Sequence, residues 1–180
     1  MGPFELFDLV GIDVAAKITE IMGARLGGGD YRISDRAADL AEAHLLGQKT
    51  HLGFYAYEEN NGDTEQGDLN EDVYRFFGGA NRTSMDPDTI QQRLGLMMVN
   101  AAVRCLEDGV LRSPTDGDLG AVFGLGCPPF RGGPFRYVDH EGAAGIVMKL
   151  ERLTEAHGPR YAPSALLREH AAAGTAFHRA

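Results

Sequence analysis

The string Gly2-Pro3-Phe4-x-x-x-Asp8-x-x-Gly11 returns as Gly133-Pro134-Phe135-x-x-x-Asp139-x-x-Gly142, with the same five residues at the same offsets, 131 positions further on. Internal recurrence at this spacing implies two copies of one structural unit. The second copy has ample helical sequence upstream of it, whereas only Met1 precedes the first. The expectation is therefore a duplicated unit whose first copy is cut short, within a longer parent chain.

The physical chemistry of the repeated string favours a short helix. Proline is well tolerated at the first helical position, where its missing N–H costs no hydrogen bond, and a glycine eight positions later ends the helix. After Gly11, Asp13 is read as the cap of a second helix with Val14, Ile18, Ile21 and Met22 at helical spacing. Ser34 begins another, with Ala37, Ala38, Ala41, Leu45 and Leu46 on its inner side, after a stop at Gly27-Gly28-Gly29. Gly53 to Tyr57 reads as one extended segment. Residues 58–69 are acidic, lack apolar periodicity and are assigned as a linker. A short helix follows over Asn70 to Phe77.

Asp86-Pro87 combines a cap with a first-turn proline and predicts a long helix to about Gly109. Its apolar stripe is read as Ile90, Leu94, Met97, Met98, Ala101 and Cys105, with Asn100 on the wet face. Ser113-Pro114 starts another helix, with Leu119, Val122 and Phe123 inward. Gly133-Pro134 opens the second signature helix. Its partner spans Ala143 to His157, and a last helix runs from Pro163 or Ser164 to about Ala173. The pattern predicts an all-α protein, with domains over 1–80 and 81–180. Without βαβ alternation, no dinucleotide-binding sheet is expected.

Composition narrows the function. A net charge of -9 argues against a nucleic-acid partner. No apolar run reaches membrane-spanning length, and Cys105 and Cys127 form no CxxC, which together point to a cytoplasmic location with free thiols. The glycine runs lack the lysine and flanking strand of a phosphate loop. His140-Glu141 would open a zincin motif, but Ala144 occupies the place of the second histidine, so no metal site is expected. His157, His170 and His178 are read as cations near helix C-termini. Asp116 and Asp118 are read as solvated first-turn acids. Arg131, on a loop before a helix start, could hold an anion or pin the loop; the structural role is preferred.

Taken in order, three blocks are similar to a known family. Met1 to Asp13 resembles the signature segment in the C-terminal domain of 3-hydroxyacyl-CoA dehydrogenases. Arg104-Cys105-Leu106-Glu107-Asp108-Gly109, Ser113-Pro114 and Gly124 to Gly133 resemble the last domain of bacterial multifunctional fatty-acid oxidation alpha subunits. Gly47-Gln48-Lys49 and Gly53-Phe54-Tyr55 fit between them. The resemblance implies two tandem helical repeats of the dehydrogenase C-terminal type, the first truncated at its N-terminus. It implies an NAD-dependent parent enzyme of fatty-acid β-oxidation that oxidises a 3-hydroxyacyl-CoA. The catalytic His–Glu pair and the NAD site would lie in a missing domain, leaving this chain with no catalytic residue and no bound cofactor. Met1, Gly2 and Pro3 would line the substrate cleft. Phe130, Arg131 and Gly132 would contact the first repeat. Gln92-Arg93 stands where the family carries Asn-Arg, so the second repeat departs from the catalytic pattern. Implied partners are the missing NAD-binding domain, an acyl-CoA substrate and a thiolase beta subunit, with self-association through an uncovered apolar face. The competing expectation is a non-catalytic helical interaction or acyl-CoA-binding module.

Overall fold

The computed structural model describes residues 1–25, 36–79 and 81–178. It is mostly helical and divides into two units, Met1–Ser84 and Met85–Ala180. The run Gly27-Gly28-Gly29 and the helix start read at Ser34 lie outside the described residues.

In the first unit, α1 (Pro3–Val10) begins at Pro3, and the Gly2 N–H donates to Glu5 Oε2 at 2.6 Å. Gly11, at φ 105°, ends α1 and hands the chain to α2 (Ile12–Arg25). Asp13 lies in the first turn of α2 rather than capping it, and binds the Lys49 ammonium group. After α3 (Arg36–Glu42), a 3-10 turn at Gln48–Thr50 leads to an antiparallel hairpin, β1 (Tyr55–Asn60) and β2 (Asp63–Leu69). A capped 3-10 helix, Glu71–Phe77, closes the unit. Its core is Ile12, Leu40, Leu45 and Val73, flanked by Phe7, Phe54, Tyr74 and Phe76.

The hairpin corrects the linker reading of residues 58–69. Asn61 and Gly62 both have positive φ, 54° and 92°, the turn that matches the twist of two paired strands. Acidic residues occupy β1 and β2 because their faces are almost wholly exposed; only Tyr57 is buried.

In the second unit, α4 (Pro87–Glu107) is capped by Asp86, α5 (Pro114–Leu125) by Ser113 and α8 (Ala165–Ala173) by Ser164. Between them lie α6 (Pro134–Glu141) and α7 (Ala143–His157), joined at Gly142. The core is Leu96, Val99, Val103, Phe135, Val138, Ile146, Leu150 and Leu167. Burying a ring such as Phe135 completely is worth roughly 1.5–3 kcal/mol.

Two faces differ from the sequence reading. On α4 the buried line is Leu96, Val99, Asn100 and Val103, while Leu94 is 63% exposed. Asn100 enters the core because its amide is satisfied: Nδ2 donates to Ala162 O at 2.8 Å, and Oδ1 accepts from Ser164 N at 2.9 Å. On α5 the buried residues are Gly117, Asp118 and Ala121, and Phe123 is 85% exposed.

Candidate functional site

Asp8 sits at the centre of the first unit's signature and is buried. Its Oδ1 accepts from Phe54 N and its Oδ2 from Tyr55 N, both at 2.9 Å. The Tyr57 hydroxyl donates to Oδ2 at 3.0 Å. One carboxylate thus fastens the start of the hairpin to α1. Burial, then the hydrogen bond to Asp8, pushes the Tyr57 phenol up, so it remains a donor through the physiological range. Gly47 and Gly53 make room for this knot: a Cβ on Gly53 would lie 2.1 Å from Asp8 Oδ1, and one on Gly47 2.2 Å from Asp8 O.

Asp139 occupies the matching position in the second signature and uses its carboxylate in the same way. Oδ1 accepts from Phe177 N at 2.6 Å and Oδ2 from His178 N at 3.0 Å. Each aspartate therefore takes two successive backbone N–H groups from a segment that follows the unit's third signature-side helix, α3 or α8. Tyr57 and His178 supply the extra side-chain contact, the latter through Nδ1 at 2.8 Å from Asp139 Oδ2.

His178 does not sit at a helix end, as the sequence reading had it. Its Nε2 lies 3.1 Å from Asp118 Oδ2, at ion-pair distance when the imidazole is protonated. That oxygen is not aligned for a hydrogen bond and has no other partner among the described residues. Asp118 Oδ1 caps α6 by accepting from Phe135 N at 2.8 Å. Asp118 is thus a buried structural acid, not a solvated first-turn one. Burial pushes its carboxyl up, against the pull of the Phe135 N–H and the imidazole. Burial also acts to raise Asp139, but the Phe177 and His178 N–H groups and the imidazole outweigh it, and the carboxyl is held down.

The two acids have opposite linkage signs. The depressed Asp139 contributes stability that is full above about pH 5 and is lost as pH falls through its folded pKa, below the ordinary value of about 3.9. The raised Asp118 favours the folded state in its protonated form, a contribution lost as pH rises through its folded pKa. Asp139→Asn is expected to cost the second unit about 1–3 kcal/mol at pH 7 by spoiling one of the paired acceptors. It should also flatten the acid limb of stability. Urea unfolding between pH 7 and 3 checks both effects.

The residues read as cleft-lining lie at the open start of α1. Met1 is 83% exposed, and its ammonium group is 3.9 Å from Glu5 Oε2. The first unit also holds an almost entirely apolar cavity of about 150 Å³, walled by Phe4, Phe7, Leu40, Phe54 and Phe77, whose lining does not include Met1, Gly2 or Pro3. The Phe4 and Phe54 ring centroids are 4.6 Å apart. Leu6, Leu9, Val10 and Ile18 are each about half exposed, so α1 and α2 show a wide apolar face. Of the other predicted group, Phe130 is 84% exposed, the Arg131 guanidinium lies 5.6 Å from the Phe130 ring centroid, and Gly132 turns the chain at φ 75°.

Among the described residues the only sheet is the two-stranded hairpin, so they form no doubly wound dinucleotide crevice. No described helix is long and apolar enough to cross a membrane. Cys105 and Cys127 are free thiols.

Residues 1–57 match the family described as 3-hydroxyacyl-CoA dehydrogenase, C-terminal domain. The resemblance read from the signature segments is thus borne out. Over 99% of its length the chain is 44% identical to the fatty acid oxidation complex subunit alpha of Shewanella amazonensis, and 39% identical to that of Vibrio vulnificus. It spans only 25% and 24% of those proteins. Two solved structures share the fold at 22% identity. 3-hydroxybutyryl-CoA dehydrogenase from Escherichia coli K12 has a TM-score of 0.67, covering 97% of this chain and 52% of that one. The dehydrogenase part of multifunctional enzyme 1 from C. elegans has a TM-score of 0.62, covering 94% of this chain and 38% of that one.

Proposed function

We propose that this chain is the C-terminal helical part of an NAD-dependent 3-hydroxyacyl-CoA dehydrogenase, within a multifunctional alpha subunit of fatty-acid β-oxidation. The observation that carries this reading is the alignment of nearly the whole chain with a quarter of the fatty acid oxidation alpha subunits. The matched use of Asp8 and Asp139 supports a further step, that the chain is two tandem copies of one helical repeat. The exposed apolar face of α1 and α2 is then a surface on which further helices of such a repeat would pack.

On this reading the chain performs no bond-making. Hydride transfer to NAD belongs to a nucleotide-binding domain elsewhere in the parent protein. This part closes the acyl-CoA cleft with Met1, Gly2 and Pro3 at the start of α1, and forms the dimer-like interface. Phe130, Arg131 and Gly132 offer a packing surface to a neighbouring helical element of the parent. A thiolase beta subunit is a further partner, and the cytoplasm the location.

The 180-residue chain alone is expected to give no NAD reduction with a 3-hydroxyacyl-CoA, while the same chain joined to the upstream part of the parent restores it. In the joined protein, Gly2→Val is expected to raise KM for the acyl-CoA about tenfold, equivalent to about 1.4 kcal/mol. Turnover by the isolated chain, or an unchanged KM, would count against the assignment.

A further inference from the structure

A second cavity lies within the second unit, between α4 and the loop that leads into α6, with a volume of about 420 Å³. That is within the roughly 300–1,000 Å³ typical of small-molecule sites. Of its lining, the proposed dehydrogenase role engages only Arg131, on the loop offered as a packing surface.

Its chemistry is divided between floor and rim. The floor is apolar: Leu96, Val99 and Cys127 are each less than 10% exposed, and Pro134 is buried beside them. The Cys127 Sγ lies 3.6 Å from Met98 Sδ, and burial pushes the thiol up, so this wall stays uncharged at neutral pH. The rim carries the Gln91 and Gln92 amides and the Arg131 guanidinium. Among the described residues Arg131 makes no ion pair. Glu141, whose carboxyl it influences from a distance, is bonded to Lys149 at 3.0 Å. Asp88 also lines the cleft and repels an anion, so a negative head group is held at the Arg131 guanidinium.

We infer that this cleft is a binding site for an amphipathic carboxylate, a medium-chain fatty acid, with the chain over Leu96 and Val99 and the head group at Arg131. An exposed guanidinium pairs well with a carboxylate, because its planar donors match the two oxygens. The apolar floor supplies the burial that a lone surface ion pair lacks.

Gly95 gives a clean test. It lines the cleft on α4, and a Cβ there would meet nothing within 4 Å. Gly95→Leu therefore fills the cleft while improving the residue's helix propensity. Decanoate is titrated into the 180-residue chain by calorimetry, with the Met98 methyl signal followed by NMR. The expected result is saturable binding that shifts Met98, weakens about tenfold in Arg131→Gln and vanishes in Gly95→Leu. Thermal unfolding should show that both variants remain folded. Undiminished binding in Gly95→Leu, equal affinity for decan-1-ol, or shifts confined to the Phe4–Phe54 cavity would overturn the assignment. The experiment involves neither NAD nor a hydroxyacyl substrate, so its failure is distinct from failure of the dehydrogenase reading.

Discussion

Asp8→Ala is expected to unfold the first unit. The substitution strips the partner from Phe54 N, Tyr55 N and the Tyr57 hydroxyl at once. Each buried donor left unpaired costs about 1–3 kcal/mol, with water able to relieve the two partly buried amides. The total, about 3–6 kcal/mol, approaches the full stability of a small domain, about 5–15 kcal/mol. The first unit is also poorly placed to absorb it, because among the described residues its core cluster has four buried apolar residues against eight in the second. Amide NMR of the variant should show collapse of the signals from residues 1–79 while those of α4 to α8 persist. Asp8→Asn should be milder, since one carbonyl oxygen still accepts. Native dispersion throughout Asp8→Ala would show that the carboxylate is not the fastening it is taken to be.

Gly133→Ala is expected to do comparable damage to the second unit. Gly133 has φ 109° and ψ 179°, a region open essentially to glycine alone, at a cost of about 1–3 kcal/mol for other residues. The added Cβ would also fall 2.6 Å from Asp118 Cα and 2.4 Å from Asp118 Oδ1. The first of these is backbone and cannot swing aside. Relief requires α5 and α6 to separate, which breaks the Asp118–Phe135 cap and loosens Phe135 from the core. A loss of about 3–5 kcal/mol is expected, within the upper range of single substitutions. Chemical denaturation of the full chain, read from second-unit signals, measures it. Gly142→Ala is the useful control: φ is positive there as well, at 83°, but a Cβ would meet nothing within 4 Å, so only the backbone penalty applies.

Much of the architecture was legible because helix boundaries are local. Asp86-Pro87, Ser113-Pro114 and Gly133-Pro134 each start a helix where the cap and proline rules place one. The hairpin was equally local and was missed: Asn61-Gly62 is a strong turn signal, but acidic composition outweighed it in the reading. The buried polar residues were harder to see. Asn100 and Asp118 look like solvent-facing helix positions until the groups they satisfy arrive from Ala162, Ser164 and Phe135, distant in sequence. Asp8 and Asp139 did carry a signal, since both copies of the signature preserve an acid at the same offset. Its role needed the chain to return after dozens of residues with two free N–H groups. The outward side of α4 and α5 follows from the same cause: once Asn100 and Asp118 are satisfied inside, Leu94 and Phe123 are turned out.

The fastening of Phe177 and His178 to Asp139 and Asp118 has a practical side. What reads as a dispensable tail after α8 is a peg driven into the second unit. A carboxypeptidase that nibbled four residues from this end would remove both amides and the imidazole together, leaving two acids to face each other's charge inside the protein. Engineering at this end is therefore safer by extension than by trimming.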